Sequence, residues 1–375
     1  MIKIVFSFIV LTLCLFGGEY DFDMDMIEQK PYEYSGYLRV DEKAQRLNNR
    51  AEDTQNYLHL EGLLDFSYSY ESLKFKTSLM ATNDYIKNKV SSSSFVTNEL
   101  YIESKLTTNH TILVGKESLQ WGKGYFFNPV AFFDRVKNPS EPTQAREGFV
   151  IGKYSYNKSF TTQLKNLSFD FVYLPSNENL NYDYYKIVTN KKDANNIAMR
   201  LYLLLYDTDI DIIYNYSDVA NEKIGIDFSK NIQTNFEVHA EWAKVIDSHY
   251  TYLLGFRYLT SSDLTIISEY LYRSNGLTKE EIAACTSTLP FTAKDYLITL
   301  ITQKEPFEWL YSSVYYKNMM NLQDYSQQNK FGITYGFKNN INIDLSYNLN
   351  GGATLSEFAK KPIKDFLWLR LTWSF

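Results

Sequence analysis

Apolar and polar residues alternate along most of this chain. The clearest segment is Asn231–Lys244, where apolar residues and one threonine occupy the even positions from Ile232 to Trp242 and mostly polar residues occupy the odd ones. The same period of two appears in residues 58–68 and 341–347. Successive side chains of a β-strand point to opposite faces, so this period predicts strands with one apolar and one polar face.

The alternating segments number about eighteen, with sixteen as the alternative count. They start near residues 33, 56, 71, 95, 110, 147, 167, 195, 208, 223, 231, 250, 262, 294, 306, 328, 340 and 365. Many run for about ten residues, which is enough to cross a bilayer when tilted, whereas strands of soluble sheets average about five or six. The chain is therefore predicted to be all-β and to form a transmembrane antiparallel β-barrel.

The connections between segments differ in length by parity. Those after even-numbered strands are mostly tight, although the turn at 157–166 is longer than this rule expects. Those after odd-numbered strands are mostly longer, at 41–55, 84–94, 120–146, 175–194, 273–293, 318–327 and 349–364. Short periplasmic turns opposite long external loops are typical of bacterial outer-membrane barrels. The expected location is the bacterial outer membrane, in contact with its lipid and lipopolysaccharide.

The start of the chain has the pattern of an export signal. A lysine at position 3 precedes an apolar run from Ile4 to Phe16, which is too short to span a membrane comfortably. We therefore divide the chain into a signal peptide (1–17), a periplasmic N-terminal segment (18–32) and a transmembrane β-barrel (33–375).

Composition and charge support the strand prediction and exclude one class of partner. Aromatic residues make up 17% of the chain, including 32 tyrosines and 25 phenylalanines, and this composition favours strands. The net charge of -6 without a basic block argues against nucleic acid as a partner, because phosphate binding needs clustered Lys and Arg.

The final segment alternates up to its last residue. Leu367, Leu369, Leu371, Trp373 and Phe375 take one face, with Trp368, Arg370, Thr372 and Ser374 on the other. This strand resembles the terminal signal that the barrel-assembly machinery recognises in outer-membrane proteins. Leu371, Trp373 and Phe375 are the residues expected to carry that signal.

The polar face of a spanning barrel must point inward, away from lipid. The charged residues expected to face the lumen are Glu61, Asp65, Glu99, Glu103, Arg200, Asp211, Glu237, Glu241, Arg257, Glu269 and Asp344. Carboxylates outnumber bases in this set, so we expect a wet, acidic lumen that prefers cations. Barrels of about this strand number are wide enough to hold water.

The segment 120–147 is the least strand-like part of the barrel region. Glycines at 122 and 124 give it a flexible backbone, and prolines at 129, 139 and 142 stiffen its turns. As the third long loop, it is a candidate for a pore constriction formed by Trp121, Lys123, Asn128, Asp134, Arg135 and Arg146. The alternative is an external loop packed on the barrel rim by its aromatic residues, and the sequence does not separate the two.

The WGKGY...NPVAFFDR segment, the terminal FLWLRLTWSF and the alternating pattern together resemble porin-like outer-membrane proteins, including barrels with a WGxG...NP loop. The resemblance implies a channel for passive or selective passage of small solutes. Some families of this appearance are proposed to act beside inner-membrane exporters of the RND type. A partner of such an exporter, for a lipid, hydrophobic compound or polymer, is therefore the alternative function.

Catalytic chemistry has little support in the sequence. The four histidines, His59, His110, His239 and His249, are scattered, and the metal-binding, nucleophile-elbow and phosphate-loop motifs are absent. We expect no enzymatic activity, no cofactor and no metal site.

Overall fold

A computed structural model of the chain describes residues 30–48, 54–87, 89–285 and 291–375. Tyr32–Phe375 forms one compact unit. The predicted signal peptide and residues 18–29 of the N-terminal segment lie outside the described residues. Eighteen strands form one sheet in which every pairing is antiparallel and each strand pairs with its neighbours in the sequence. The predicted all-β barrel of about eighteen strands is confirmed.

The strand starts agree with the alternation to within about six residues. The strands are β1 (Tyr32–Leu47), β2 (Thr54–Tyr70), β3 (Leu73–Ile86), β4 (Lys89–Lys105), β5 (His110–Glu117), β6 (Phe149–Ser159), β7 (Leu164–Ser176), β8 (Ala194–Leu205), β9 (Thr208–Ser217), β10 (Lys223–Gln233), β11 (Phe236–Val245), β12 (Tyr250–Leu259), β13 (Leu264–Arg273), β14 (Asp295–Lys304), β15 (Ser312–Asn321), β16 (Gln327–Phe337), β17 (Ile341–Gly351) and β18 (Ile363–Ser374). Two short helices, α1 (Tyr182–Ile187) and α2 (Lys279–Ala284), and two 3-10 turns, Pro306–Glu308 and Lys338–Asn340, lie in the connections. No helix in the described ranges is long and apolar enough to cross a membrane.

The sheet closes on itself where β1 pairs with β18. This pairing runs from Tyr37 opposite Ser374 to Leu47 opposite Ile363. Gly36 and Phe375 extend it with two reciprocal backbone hydrogen bonds of 3.0 Å. Closure satisfies the backbone N–H and C=O groups that an open edge would leave unpaired in hydrocarbon.

The outward face of the barrel is apolar. On β18, Leu367, Leu369 and Leu371 are 49%, 43% and 42% exposed, whereas the inward Trp368 is 5% exposed. Other strands expose large apolar side chains in the same way, among them Val40, Leu64, Ile102, Val114, Met199, Ile212, Ile226, Leu254, Phe256 and Leu345. An apolar outer band of this kind is what a membrane barrel presents to lipid.

The connections fall into two classes, which define a turn end and a loop end of the barrel. The connections after even-numbered strands span two to seven residues, and the one at 160–163 is shorter than its sequence suggested. The longest connections follow odd-numbered strands, at 118–148, 177–193, 274–294 and 352–362. The predicted parity is therefore present, with exceptions.

Several of the sequence boundaries were wrong. The loops expected at 41–55 and 84–94 are shorter, because β1 continues to Leu47 and β3 to Ile86, and β4 begins at Lys89. The strand expected near 306 begins at Ser312. The segment Asn231–Lys244 is not one strand, because β10 ends at Gln233 and β11 begins at Phe236. A β-bulge between Asn231 and Gln233 compensates for the phase change of the two-residue turn, so apolar residues stay at even positions and the alternation carries no mark of this break.

Gly36 is required for the close contact at the barrel seam. A Cβ atom at this position would lie 2.3 Å from the Leu63 carbonyl oxygen and 2.8 Å from the Phe375 ring. We expect Gly36→Ala to lower barrel stability by about 1–3 kcal/mol, because the added methyl overpacks the seam. The measurement is the temperature at which the purified barrel loses its folded mobility on a detergent gel.

Gly152→Ala is the matched control, since no atom lies within 4 Å of a Cβ built at Gly152. This variant should unfold at the wild-type temperature or slightly above it, because alanine reduces the freedom of the unfolded chain. Equal unfolding temperatures for the two variants would contradict the close contact assigned to Gly36 at the seam.

Candidate functional site: the loop inside the barrel

The long connection 118–148, named the inner loop from here on, lies inside the barrel. Its groups bond to inward side chains of strands far apart around the wall: Glu241 on β11, Glu269 on β13, Lys317 on β15 and Arg370 on β18. The loop therefore crosses the interior and does not stay at the rim.

Glu241 binds the first turn of the inner loop through backbone donors. Its carboxylate accepts hydrogen bonds from the N–H groups of Lys123 and Gly124, both at 2.6 Å, and of Val130 at 3.2 Å. Gly122 adopts φ 97°, and a Cβ there would lie 2.8 Å from the carboxylate. The glycines expected to give flexibility therefore allow the backbone to approach a buried carboxylate closely.

Glu269 binds the next part of the inner loop in the same way. Its carboxylate accepts hydrogen bonds from the N–H groups of Tyr125 and Phe126, the latter at 3.0 Å. The buried ring of His239 contacts it too, with Nε2 3.0 Å from Oε1. His239 crosses over Gly255 on β12, where a Cβ would lie 2.1 Å from Nε2. This histidine therefore positions a loop anchor.

Ion pairs of Lys123 and Arg135 bind the inner loop to its surroundings. Lys123 Nζ lies 2.8 Å from Asp211, which also accepts a 2.7 Å hydrogen bond from Arg200. Arg135 pairs with Glu147 at 2.7 Å and with Asp183, in the first turn of α1, at 2.5 Å. These partly buried pairs connect the loop to β9 and to the connection between β7 and β8.

Asp134 and Asn128 shape the inner loop from within. Asp134 accepts hydrogen bonds of 3.0 Å from the N–H groups of Gln120 and Trp121. Burial raises the pKa of the Asp134 carboxyl, and these two donors offset only part of that effect. Asn128 accepts a 3.1 Å bond from the Lys137 N–H.

Two apolar clusters join the inner loop to the wall, and they correct the expectation of a uniformly polar inner face. The first packs Trp121, Val130 and Phe133 against inward apolar residues of β5–β11: Leu113, Ile151, Val172, Leu174, Ala198, Ile213 and Ala243. The second packs Phe126 and Phe127 against Leu253, Leu271, Tyr296, Ile298 and Met319 on β12–β15, with Ile282 of α2 and Phe358. A loop folded into the barrel needs an apolar wall to pack on, and these two clusters provide it.

A polar cavity remains on the side of the barrel that these clusters leave free. It has a volume of about 610 Å³ and lies between the inner loop and the inward face of β1–β4, near the turn end. Its charged lining residues are Glu33, Asp65, Lys74, Lys76, Glu99 and Arg146. Acidic and basic groups are thus equally represented along it.

The charged residues expected in the lumen have varied surroundings. Glu61 binds Arg39 at 2.8 Å and Tyr37 at 2.6 Å, and Asp344 accepts a 2.8 Å bond from Tyr315. Glu237 accepts a 2.9 Å bond from the Tyr125 hydroxyl and lies opposite Arg257 in the β11–β12 pairing. Glu103 lies opposite the buried Leu113.

Sequence reasoning missed several basic residues of the inner face. Lys76 pairs with Glu99 at 2.7 Å, Lys153 with Glu117 at 2.6 Å, and Lys317 donates to the Pro139 carbonyl at 2.6 Å. The alternation could have identified them, because each of these lysines occupies an inward-facing position of its strand.

Comparisons with known proteins agree with the fold. No protein-family model matches the chain, and no curated protein matches it. Among solved structures, OpdQ of Pseudomonas aeruginosa is similar at 10% identity and a TM-score of 0.59, covering 92% of this chain and 99% of that one. OccAB3 of Acinetobacter baumannii is similar at 9% identity and a TM-score of 0.56, covering 92% and 99%.

A third similar structure is Wzi of Escherichia coli, an outer-membrane protein described as a carbohydrate-binding β-barrel involved in group 1 capsule assembly. It is 10% identical with a TM-score of 0.55, and the match covers 92% of this chain and 84% of that one. At such identities the likeness concerns the fold. Together with the apolar outer band, this fold makes the chain a bacterial outer-membrane barrel.

Glu241→Gln tests the anchoring of the inner loop. The amide keeps the shape of the side chain, but its nitrogen cannot accept a hydrogen bond. At least one of the three backbone N–H groups therefore loses its acceptor. Hydrogen bonds to charged groups contribute about 1.5–3 kcal/mol, so amide exchange in residues 121–131 should accelerate by about tenfold to a hundredfold. Hydrogen exchange followed by mass spectrometry measures it.

Glu103→Gln is the control, because this inward carboxylate has no hydrogen bond to the inner loop among the described residues. Its loop peptides should exchange at the wild-type rate. Unchanged exchange in Glu241→Gln would contradict the role of Glu241 as an anchor of the loop.

Proposed function

We propose that this protein is a porin-like channel that passes small solutes across the outer membrane. The observation that carries the proposal is the polar cavity of about 610 Å³ between the inner loop and β1–β4. Its lining offers charged and hydroxyl groups to a hydrated solute, whereas apolar side chains pack the inner loop against β5–β15. Aqueous passage would follow the β1–β4 side.

The inner loop is the proposed constriction. Arg146 is the residue of the predicted set that lines the polar cavity, so it would contact passing solutes. Trp121, Lys123, Asn128, Asp134 and Arg135 would act indirectly, because they bind the loop to the wall or to itself. The constriction would therefore be a rigid structure whose width is set by buried contacts.

Cation preference is the finer part of the proposal. The inward face has many carboxylates, but Glu241 and Glu269 are occupied by backbone donors. Asp211 is paired with Lys123 and Arg200. Because three basic residues match the three carboxylates that line the open cavity, we propose a modest preference, generated by the excess of carboxylates over bases in the lumen-facing set.

Deleting residues 123–140 should raise single-channel conductance in planar bilayers, because the deletion removes the part of the inner loop that crosses the interior. Folded mobility on a detergent gel must first show that the shortened barrel is closed. Unchanged conductance from a folded variant would contradict the constriction.

Reversal potentials under a salt gradient should indicate weak cation preference. Asp65→Asn should lower this preference and Lys74→Gln should raise it, because the two residues line the same cavity with opposite charge. Anion preference of the wild-type channel would contradict the proposal.

The alternative is a barrel that serves as the outer-membrane partner of an inner-membrane exporter of the RND type. The observation that favours it is the filling of the interior by the inner loop, α2 and Phe358. Wzi, a barrel of similar fold, is described as involved in capsule assembly and as binding carbohydrate. Absence of conductance together with co-purification of an inner-membrane transporter would support this alternative.

Two partners follow from the same proposal. The outward Leu371 and Trp373, with Phe375 beside Gly36, would carry the signal read by the barrel-assembly machinery. The apolar outer band would contact outer-membrane lipid, including lipopolysaccharide.

A further inference from the structure

A second cavity lies on the other side of the inner loop. Its volume is about 200 Å³, and it is bounded by the loop tip at 138–141 and by the inward faces of β1 and β15–β18. Liquid water occupies about 30 Å³ per molecule, so the cavity would hold about six or seven waters or one small solute. Its lining includes three lysines, Lys43, Lys317 and Lys330, one carboxylate, Glu141, and the amide of Asn348.

The cavity is rich in donors that lack acceptors. Asn348 Nδ2 and Trp368 Nε1 are buried and have no hydrogen-bond partner. The two side chains are 4% and 5% exposed, so bulk water does not easily satisfy them. A buried unsatisfied donor costs about 1–3 kcal/mol, which an acceptor inside the cavity would offset.

Positive charge is concentrated at the same place. The cationic groups of Lys43, Lys330 and Arg370 lie 4.1, 4.2 and 4.4 Å from the centroid of the single Trp368 ring. An indole ring attracts a cation, but three cations around one ring also repel each other. A bound anion would relieve this repulsion.

Two carboxylates near these lysines already bind Arg370. Asp41 and Glu141 both bind Arg370, Asp41 at 2.7 and 2.9 Å and Glu141 at 2.5 Å. Within the described residues, neither Lys43 nor Lys330 forms an ion pair with a carboxylate. Lys317 is different, because its ammonium donates to the carbonyls of Pro139 and Ser140 at 2.6 and 2.8 Å.

We propose that this cavity is a binding site for a multivalent oxyanion, such as inorganic phosphate, sulfate or the phosphoryl group of a small solute. Lys43 and Lys330 would supply charge, and Asn348 and Trp368 would donate neutral hydrogen bonds. Two lysines without carboxylate partners match a dianion better than a single carboxylate. Because Lys317 binds the loop tip, the site would also connect the ligand to the inner loop.

Calorimetric titration of the detergent-solubilised full chain with inorganic phosphate, at constant ionic strength in chloride, tests the site. Saturable binding is expected for the wild type. Lys43→Gln and Lys330→Gln should each weaken it by about tenfold or more, since each removes a charge-assisted hydrogen bond. Lys330→Arg keeps the charge and should retain most of the affinity.

Lys74→Gln is the matched control, because it removes one inward lysine that lines the other cavity. Its affinity for phosphate should equal that of the wild type. An equal loss in Lys74→Gln would overturn the site in favour of general lumen charge, and so would absence of saturable binding by the folded wild type. Acetate binding as tightly as phosphate would overturn the multivalent class. The measurement needs no ionic current, so its outcome is independent of the channel proposal.

Discussion

The backbone hydrogen bond between β1 and β18 is the constraint on which the rest of this structure depends. Hydrocarbon offers no partner to an N–H or C=O group, so a sheet that spans it must close. Closure from Tyr37 and Ser374 to Leu47 and Ile363 satisfies both edges at once. Once the backbone is satisfied, the outer side chains need only be apolar. The side chains that distinguish one such barrel from another in function are therefore expected in the interior and in the connections.

The interior meets the same requirement with side chains. A loop inside the barrel has backbone N–H groups that leave water, and these groups need acceptors. Glu241, Glu269 and Asp134 provide them through seven N–H donors. Part of the acidic character of the sequence thus holds a loop in place. An excess of carboxylates in a barrel sequence is consequently a weaker sign of cation preference than their number suggests.

Alternation predicted the fold because lipid outside and polar groups inside impose it on most strands. It carries less information where both faces are apolar, as in β7, whose inward Val172 and Leu174 adjoin the outward Tyr173. Such continuous runs indicate burial on both faces, and here they mark the wall under the inner loop. The loop was predictable as a candidate constriction from its glycines and prolines. Its anchors were not, because contacts such as Glu241 with Gly124 join residues 117 apart in the sequence.

The inner loop also divides the charge of the interior into patches. On the β1–β4 side, carboxylates and bases alternate around the polar cavity. Near β16–β18, Lys43 and Lys330 share the Trp368 ring without a carboxylate partner. Glu141 at the loop tip binds Arg370. The inner loop therefore separates the two charge patches and also narrows the lumen. Because potentials in a low-dielectric wall depend on local arrangement, net charge alone says little about which solutes bind.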